Sequence, residues 1–174
     1  YKLSEWHPLA HGKVRFVGEP VVMCVAPTRA EAEDLTEQVV VVFDELPVLV
    51  VALAARAEKT VRVHEQWSDN LFLTLNLDNG YDANAKGAPV MVRRELSLNR
   101  QAMVPMEGKA ILAHWDERSD QLVVYYSTQV PHVVRVGLAQ FLGIDHGQVR
   151  VISPDVGGGF GYKVIVHPEE LCVA

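Results

Sequence analysis

The stretch from Gln148 to Lys163, QVRVISPDVGGGFGYK, constrains the fold of this 174-residue chain more than any other. Val149, Val151 and Ile152 make a short β-branched run that reads as a buried strand. Pro154-Asp155 ends its ladder, and Gly157, Gly158 and Gly159 follow, with Gly161 after Phe160. Consecutive glycines forfeit more chain entropy on folding than almost any other choice. A sequence keeps them where the backbone must pass through positive φ or where something must come close to its N–H groups. Successive N–H groups in such a turn can form a concave nest for an anion. Two readings stay open from the residues alone: a loop that holds an anionic or oxo-bearing cofactor, and a plain glycine-rich turn. Spacing excludes two named phosphate loops. A Walker loop needs Ser or Thr after Gly-Lys, whereas Lys163 lies between Tyr162 and Val164. The dinucleotide fingerprint counted from Gly157 and Gly159 needs a glycine where Tyr162 stands.

The residues leading into this loop predict an antiparallel hairpin. Segments 110–115 and 122–127 are strand-like and are joined by a polar loop. Ser127-Thr128-Gln129-Val130 follows, and Pro131 suits the first turn of a helix. Val134, Leu138, Phe141 and Leu142 give that helix an apolar stripe, and Gly143 is its expected C-cap. Gln129 and the glycine loop therefore each follow a strand end and can face one space. An amide side chain beside backbone N–H donors can hold an oxo group or carbonyl without any charged residue. The plainer role for Gln129 is that of a helix-entry residue capping a backbone group. From Pro168 a second helix is expected, with Glu169 and Glu170 in its first turn, where the macrodipole favours acids.

Upstream, residues 1–12 read as an irregular lead-in. Strands are expected at 13–17, at 21–26 (VVMCVA, read as buried on both faces) and at 39–43. Between the last two, Thr28 and Glu31 make a capping box for a helix with Ala32, Leu35 and Val39 on its apolar face. Residues 48–57 read as an extended stretch and a short helix, 71–77 as a strand, Asp78-Asn79-Gly80 as a turn, 82–89 as a small polar linker, and 90–103 as the longest strand candidate. The class is α+β, with a domain boundary near 85.

With a net charge of −6 and no basic run, a nucleic-acid partner is not expected. No apolar run is long enough to span a membrane, and no signal-peptide pattern is present. Cys24 and Cys172 form no CxxC and read as small buried apolar residues in a reducing compartment. A cytoplasmic location is the default, with a periplasmic one left open. His7 and His11 lack a Cys or acidic partner at ligand spacing, so no protein metal ligand is assigned. Both ends look cut from a longer protein.

Ser127-Thr128-Gln129-Val130-Pro131-His132, the helix to Gly143 and then VRVISPDVGGGFGYK resemble the molybdenum-binding large subunit of the xanthine dehydrogenase, aldehyde oxidase and aerobic carbon monoxide dehydrogenase family. NRQAMVPMEGKAILAHWD, from Asn99 to Asp116, is similar to the family's segment just upstream, and Gly12 to Pro47 resembles its a/b-hammerhead domain. The resemblance implies an a/b-hammerhead-like domain with linker over 1–85 and the first part of a mixed α+β molybdopterin-binding domain over 86–174. It implies molybdenum-molybdopterin, in some members as the cytosine dinucleotide, with no side chain bound to the metal. It makes Gln129 the glutamine that hydrogen-bonds an oxo ligand, and Phe160 and Gly161 the loop that nears the metal, with Gly157, Gly158 and Gly159 permitting the approach. The implied reaction hydroxylates a carbon of a small molecule with water-derived oxygen, and electrons leave to iron–sulfur and FAD partner domains or subunits. The family's general base would lie beyond this chain, so the segment alone is expected to be inactive. Val164 stands where some purine-oxidising members place a glutamate, and Met106-Glu107 is followed by Gly108 rather than by Pro-Arg-Gly. The first departure leaves aldehydes, N-heterocycles and carbon monoxide as substrates. A non-catalytic interaction module that keeps the fold is the competing expectation.

Overall fold

A β-branched run becomes a strand only where a neighbour takes its hydrogen bonds, and among the described residues that condition is met in one sheet. The computed structural model describes Lys2 and residues 7–174. Tyr1, Leu3, Ser4, Glu5 and Trp6, and with them part of the lead-in expected over 1–12, lie outside the described residues. The chain divides into two compact units: one is Val41–Arg100 with Lys2, and the other joins residues 7–40 to Gln101–Ala174.

The second unit holds helix α1 (Arg29–Glu37), followed after residue 100 by β1 (Ile111–Asp116), β2 (Gln121–Tyr126), α4 (Pro131–Leu142), β3 (Val149–Ile152) and α5 (Pro168–Val173). The first unit holds α2 (Ala52–Ala57) and α3 (Tyr81–Gly87). The sheet order is β1-β2-β3. β1 pairs antiparallel with β2, Ile111 opposite Tyr126 and Ala113 opposite Val124; β2 pairs parallel with β3, Leu122 opposite Val149 and Val124 opposite Val151. Because side chains alternate along a strand, these partners share one face. That face carries the core: Leu122, Val124, Tyr126 and Val149 pack with Val134, Leu138 and Ala139 of α4 and Leu171 of α5. Burying each large side chain contributes roughly 1.5–3 kcal/mol. The opposite face is wetter, with Leu112 and Tyr125 exposed, although Val123 is buried.

The expected hairpin forms. Its turn is stabilised by Asp116, whose carboxylate accepts from the Arg118 N–H at 3.1 Å and the Ser119 hydroxyl at 2.7 Å, and these bonds, the Ser119 hydroxyl foremost, hold its pKa below the usual range. Helix α4 starts on Pro131 and ends on Gly143, whose φ of 68° is the left-handed value the cap requires. The Thr28–Glu31 capping box is present at α1. Helix α5 is tied down through Glu170, which pairs with Lys109 at 2.8 Å with both side chains nearly buried.

The expected strands at 13–17, 21–26, 39–43, 71–77 and 90–103 do not form ladders. These segments are not assigned to strands, and many of their side chains face out: Val25 is 74% exposed, against an expectation of burial on both faces. High β propensity describes fit to a pleated, half-buried surface, and it creates no pairing where no partner strand is apposed. Most of 82–89, expected as a small polar linker, lies in α3 (Tyr81–Gly87) instead. Ala83 and Ala85 favour helix, and Asp82 and Lys86 complement the dipole at its two ends.

Candidate functional site

The parallel pairing of β2 and β3 explains why two separate sequence features meet. Both strands run in the same direction, so Ser127-Thr128-Gln129 leaving β2 and Ser153-Pro154-Asp155 leaving β3 emerge at one end of the sheet. The carboxyl ends of parallel strands are the usual place for a ligand crevice. The two exits are tied together, because the Ser153 hydroxyl donates to the Thr128 carbonyl at 2.9 Å. Thr128 is buried, and its hydroxyl donates to the Lys163 carbonyl at 3.1 Å while accepting the Val130 N–H. The Gln129 N–H donates to that same Lys163 carbonyl at 3.0 Å. The backbone of Gln129 is thus fixed, while its side chain is exposed and has no hydrogen-bond partner among the described residues.

The glycine loop folds over this exit. Gly158 and Gly161 take φ values of 99° and 86°, and Phe160 takes 51° despite its side chain. A left-handed conformation at a non-glycine residue costs about 1–2 kcal/mol, so the surrounding loop imposes this shape. The Tyr162 N–H donates to the Gly159 carbonyl at 2.8 Å and closes the turn. Three glycines have no room for a side chain. A Cβ on Gly157 would lie 2.7 Å from Glu107 Cβ, one on Gly158 would lie 2.9 Å from the Phe160 ring, and one on Gly159 would lie 2.8 Å from Gln129 Cγ and closer still to its amide. The Gln129 amide is therefore seated directly on the backbone of Gly159. Among the described residues, the N–H groups of Gly158, Gly159, Phe160 and Gly161 donate to no acceptor in the chain. Free backbone donors beside an unpartnered neutral amide suit an oxygen-bearing, electron-rich group.

Beneath the loop lies Glu107. Its Oε2 accepts the Gly157 N–H at 2.7 Å, the Ser127 hydroxyl at 2.9 Å and the Lys163 ammonium. The Lys163 side chain is fully buried, whereas Glu107 keeps partial contact with solvent. These donors, the Lys163 ammonium foremost and then the Gly157 N–H, hold the Glu107 carboxyl down at about 2, well below the usual carboxylate range. The Glu107 N–H also donates to the Gly157 carbonyl, at 3.3 Å.

All six candidate residues read from the sequence, Gln129, Gly157, Gly158, Gly159, Phe160 and Gly161, fall in this one region. Gln129 meets Gly159, while Gly157 meets Glu107 and Gly158 meets the Phe160 ring. Sequence reasoning missed the roles of Glu107, Lys163, Ser127 and Thr128. The available signal was Lys163 itself, a lysine among apolar and small neighbours directly after the glycine loop. Among the described residues, no three His, Cys, Asp or Glu side chains are grouped to hold a metal ion, and no helix is long and apolar enough to cross a membrane.

Residues 63–174 match the molybdopterin cofactor-binding domain family. The chain is 38% identical over 164 residues to the nicotine 6-hydroxylase large subunit of Paenarthrobacter nicotinovorans, covering 94% of this chain and 20% of that one. It is 34% identical over 178 residues to the carbon monoxide dehydrogenase large chain of Hydrogenophaga pseudoflava, covering 94% of this chain and 22% of that one. Among solved structures it is similar to quinoline 2-oxidoreductase from Pseudomonas putida 86, with a TM-score of 0.80 and 35% identity over 95% of this chain and 21% of that one. The chain spans about a fifth of the length of the curated relatives it matches.

Proposed function

This chain belongs to the molybdopterin cofactor-binding domain family, and from that premise we propose that it is the part of a molybdenum hydroxylase large subunit that presents Gln129 and the glycine loop to the cofactor. Residues 1–85 are proposed as the a/b-hammerhead-like domain and 86–174 as the start of the cofactor-binding domain. The observation that carries the reading is the exposed Gln129 amide seated on Gly159, next to backbone N–H groups without acceptors.

When bound, molybdenum-molybdopterin supplies a two-electron acceptor and the water-derived oxygen for hydroxylating a carbon centre. The chain's own residues supply placement and polarity. The Gln129 NH2 donates to an oxygen without adding charge, so it stabilises that oxygen without forming an ion pair. Gly157, Gly158 and Gly159 leave the backbone bare, and the 74% exposed Phe160 ring adds an apolar surface. Glu107 is no general base here. Three donors occupy its Oε2, and a carboxylate held near 2 accepts a proton poorly at neutral pH. Residues 1–174 alone are accordingly proposed to be inactive.

An N-heterocycle is proposed as the substrate class, ahead of aldehydes and carbon monoxide, a reading supported by the similarity to a nicotine hydroxylase and a quinoline oxidoreductase. Electrons are proposed to leave through iron–sulfur centres to FAD on partner domains or subunits, and the cytosine dinucleotide is the proposed pterin form. The test is elemental mass spectrometry with kinetics on the full gene product that carries this chain. Stoichiometric molybdenum is expected, with Gln129→Ala keeping the metal and losing about 10²–10³-fold in kcat, the cost of removing one preorganised donor. A matured product without molybdenum would overturn the reading and leave an interaction module.

A further inference from the structure

We propose that Lys163 is a positioning residue for the Gln129 amide and the glycine loop, acting through Glu107 on one side and through its own carbonyl on the other. This inference rests on the function proposed above and deepens it.

Two atoms collect five of the ties described at the site. Glu107 Oε2 gathers the Gly157 N–H at the loop's start, the Ser127 hydroxyl at the exit of β2 and the Lys163 ammonium at the loop's end. The Lys163 carbonyl gathers the Gln129 N–H and the Thr128 hydroxyl. Lys163 takes part in both sets, so it links the ends of the loop to the residue that carries the amide. A buried ammonium has lost its hydration, and a fold retains it only where a counter-charge and good geometry compensate. The hydrophobic core between α4 and the sheet is built from Val, Leu, Ala and Tyr side chains. Lys163 is fully buried as well, but its ammonium is engaged at the loop, by Glu107. What the charge adds is a single permitted register between the loop and the β2 exit. An apolar side chain of the same volume would keep the backbone ties but remove the one bond that joins the loop's end to Glu107, and Gly157, Gly158, Gly159 and Gly161 have no side chains to replace it.

Lys163→Met separates the two roles, because it keeps the length and removes the ammonium. Glu107, which already touches solvent, can hydrate once the ammonium is gone. The experiment compares wild type, Lys163→Met and Glu107→Gln in the full gene product, by hydrogen-exchange mass spectrometry, molybdenum content and the Mo(V) electron paramagnetic resonance signal. Both variants are expected to exchange at least about tenfold faster over 127–130 and 156–163, with β2 and α4 unchanged. They are also expected to lose molybdenum or shift the Mo(V) signal. Unchanged exchange at the loop, or equal acceleration everywhere, overturns the inference. So does a loosened loop that keeps wild-type molybdenum and an unshifted signal, since Lys163 would then hold the fold alone. If Lys163→Met yields no soluble protein, Glu107→Gln decides by the same readouts. If wild type itself carries no molybdenum, the proposed function fails, and the exchange rates at the loop decide the positioning role.

Discussion

Gly159→Ala tests the site through a methyl group. The glycine's φ lies outside the left-handed region, so alanine introduces no backbone penalty there, and its effect comes from space alone. The new Cβ would stand 2.8 Å from Gln129 Cγ and would overlap the amide beyond it. Something must move, and the least costly move is rotation of the Gln129 side chain. That side chain is exposed and makes no hydrogen bond among the described residues, so no bond within the chain is lost. The cost is that of a shifted or off-minimum rotamer, about 0.5–1.5 kcal/mol. Native-state hydrogen exchange should therefore show the β2 and α4 amides weakened by no more than that. On the proposed function, turnover of the full gene product should fall far more, by about 10²–10³-fold in kcat, because the amide would leave the place where that function needs its donor. Gln129→Ala/Gly159→Ala closes a double-mutant cycle. With the amide already gone, the second methyl has nothing to displace, and the pair should behave as Gln129→Ala alone. Wild-type turnover in Gly159→Ala, or additive losses in the pair, would refute the argument that the amide's seat on Gly159 matters.

Acid should loosen the loop with a defined sign. The Glu107 carboxyl is lowered in the fold from 4.5 to about 2. Its contribution is complete above the ordinary value and is lost as pH falls from there toward about 2. Loop exchange in wild type should rise across that window relative to Glu107→Gln, while Asp69 and Asp116, which are also lowered, are common to both proteins and cancel. Leu138→Ala removes a fully buried contact between α4 and the sheet. It should lower the exchange free energy of α4 amides by about 2.7–5 kcal/mol, with little effect on the loop's donors.

The hairpin and α4 were legible because their signals are local. Alternation along 111–126 and Pro131 and Gly143 at the helix ends lie within a few residues of what they specify. The glycine loop was legible for the same reason. The Glu107–Lys163 pair was not, since its members stand 56 residues apart and nothing local to either one points to the other. The parallel register of β2 on β3 is equally non-local, and it is what brings Gln129 to Gly159. Segments such as 39–43 and 90–103 were over-read for the opposite reason: their residues favour extended backbone, but a ladder depends on an apposed neighbour that the segment itself does not encode.

The Glu107–Lys163 tie also dictates an order of assembly. The β1–β2 hairpin closes across a short turn, whereas the carboxylate's bonds to Gly157 and Lys163 join residues 50 and 56 positions apart. Loop closure of that length must be met before the contact returns any free energy. The sheet and α4 can form while the glycine loop is still searching, and the loop settles only when Glu107 and the β2 exit are already in place. By this argument the free donors come together after the hairpin, and a chain with only the hairpin folded would lack the arrangement proposed for a cofactor.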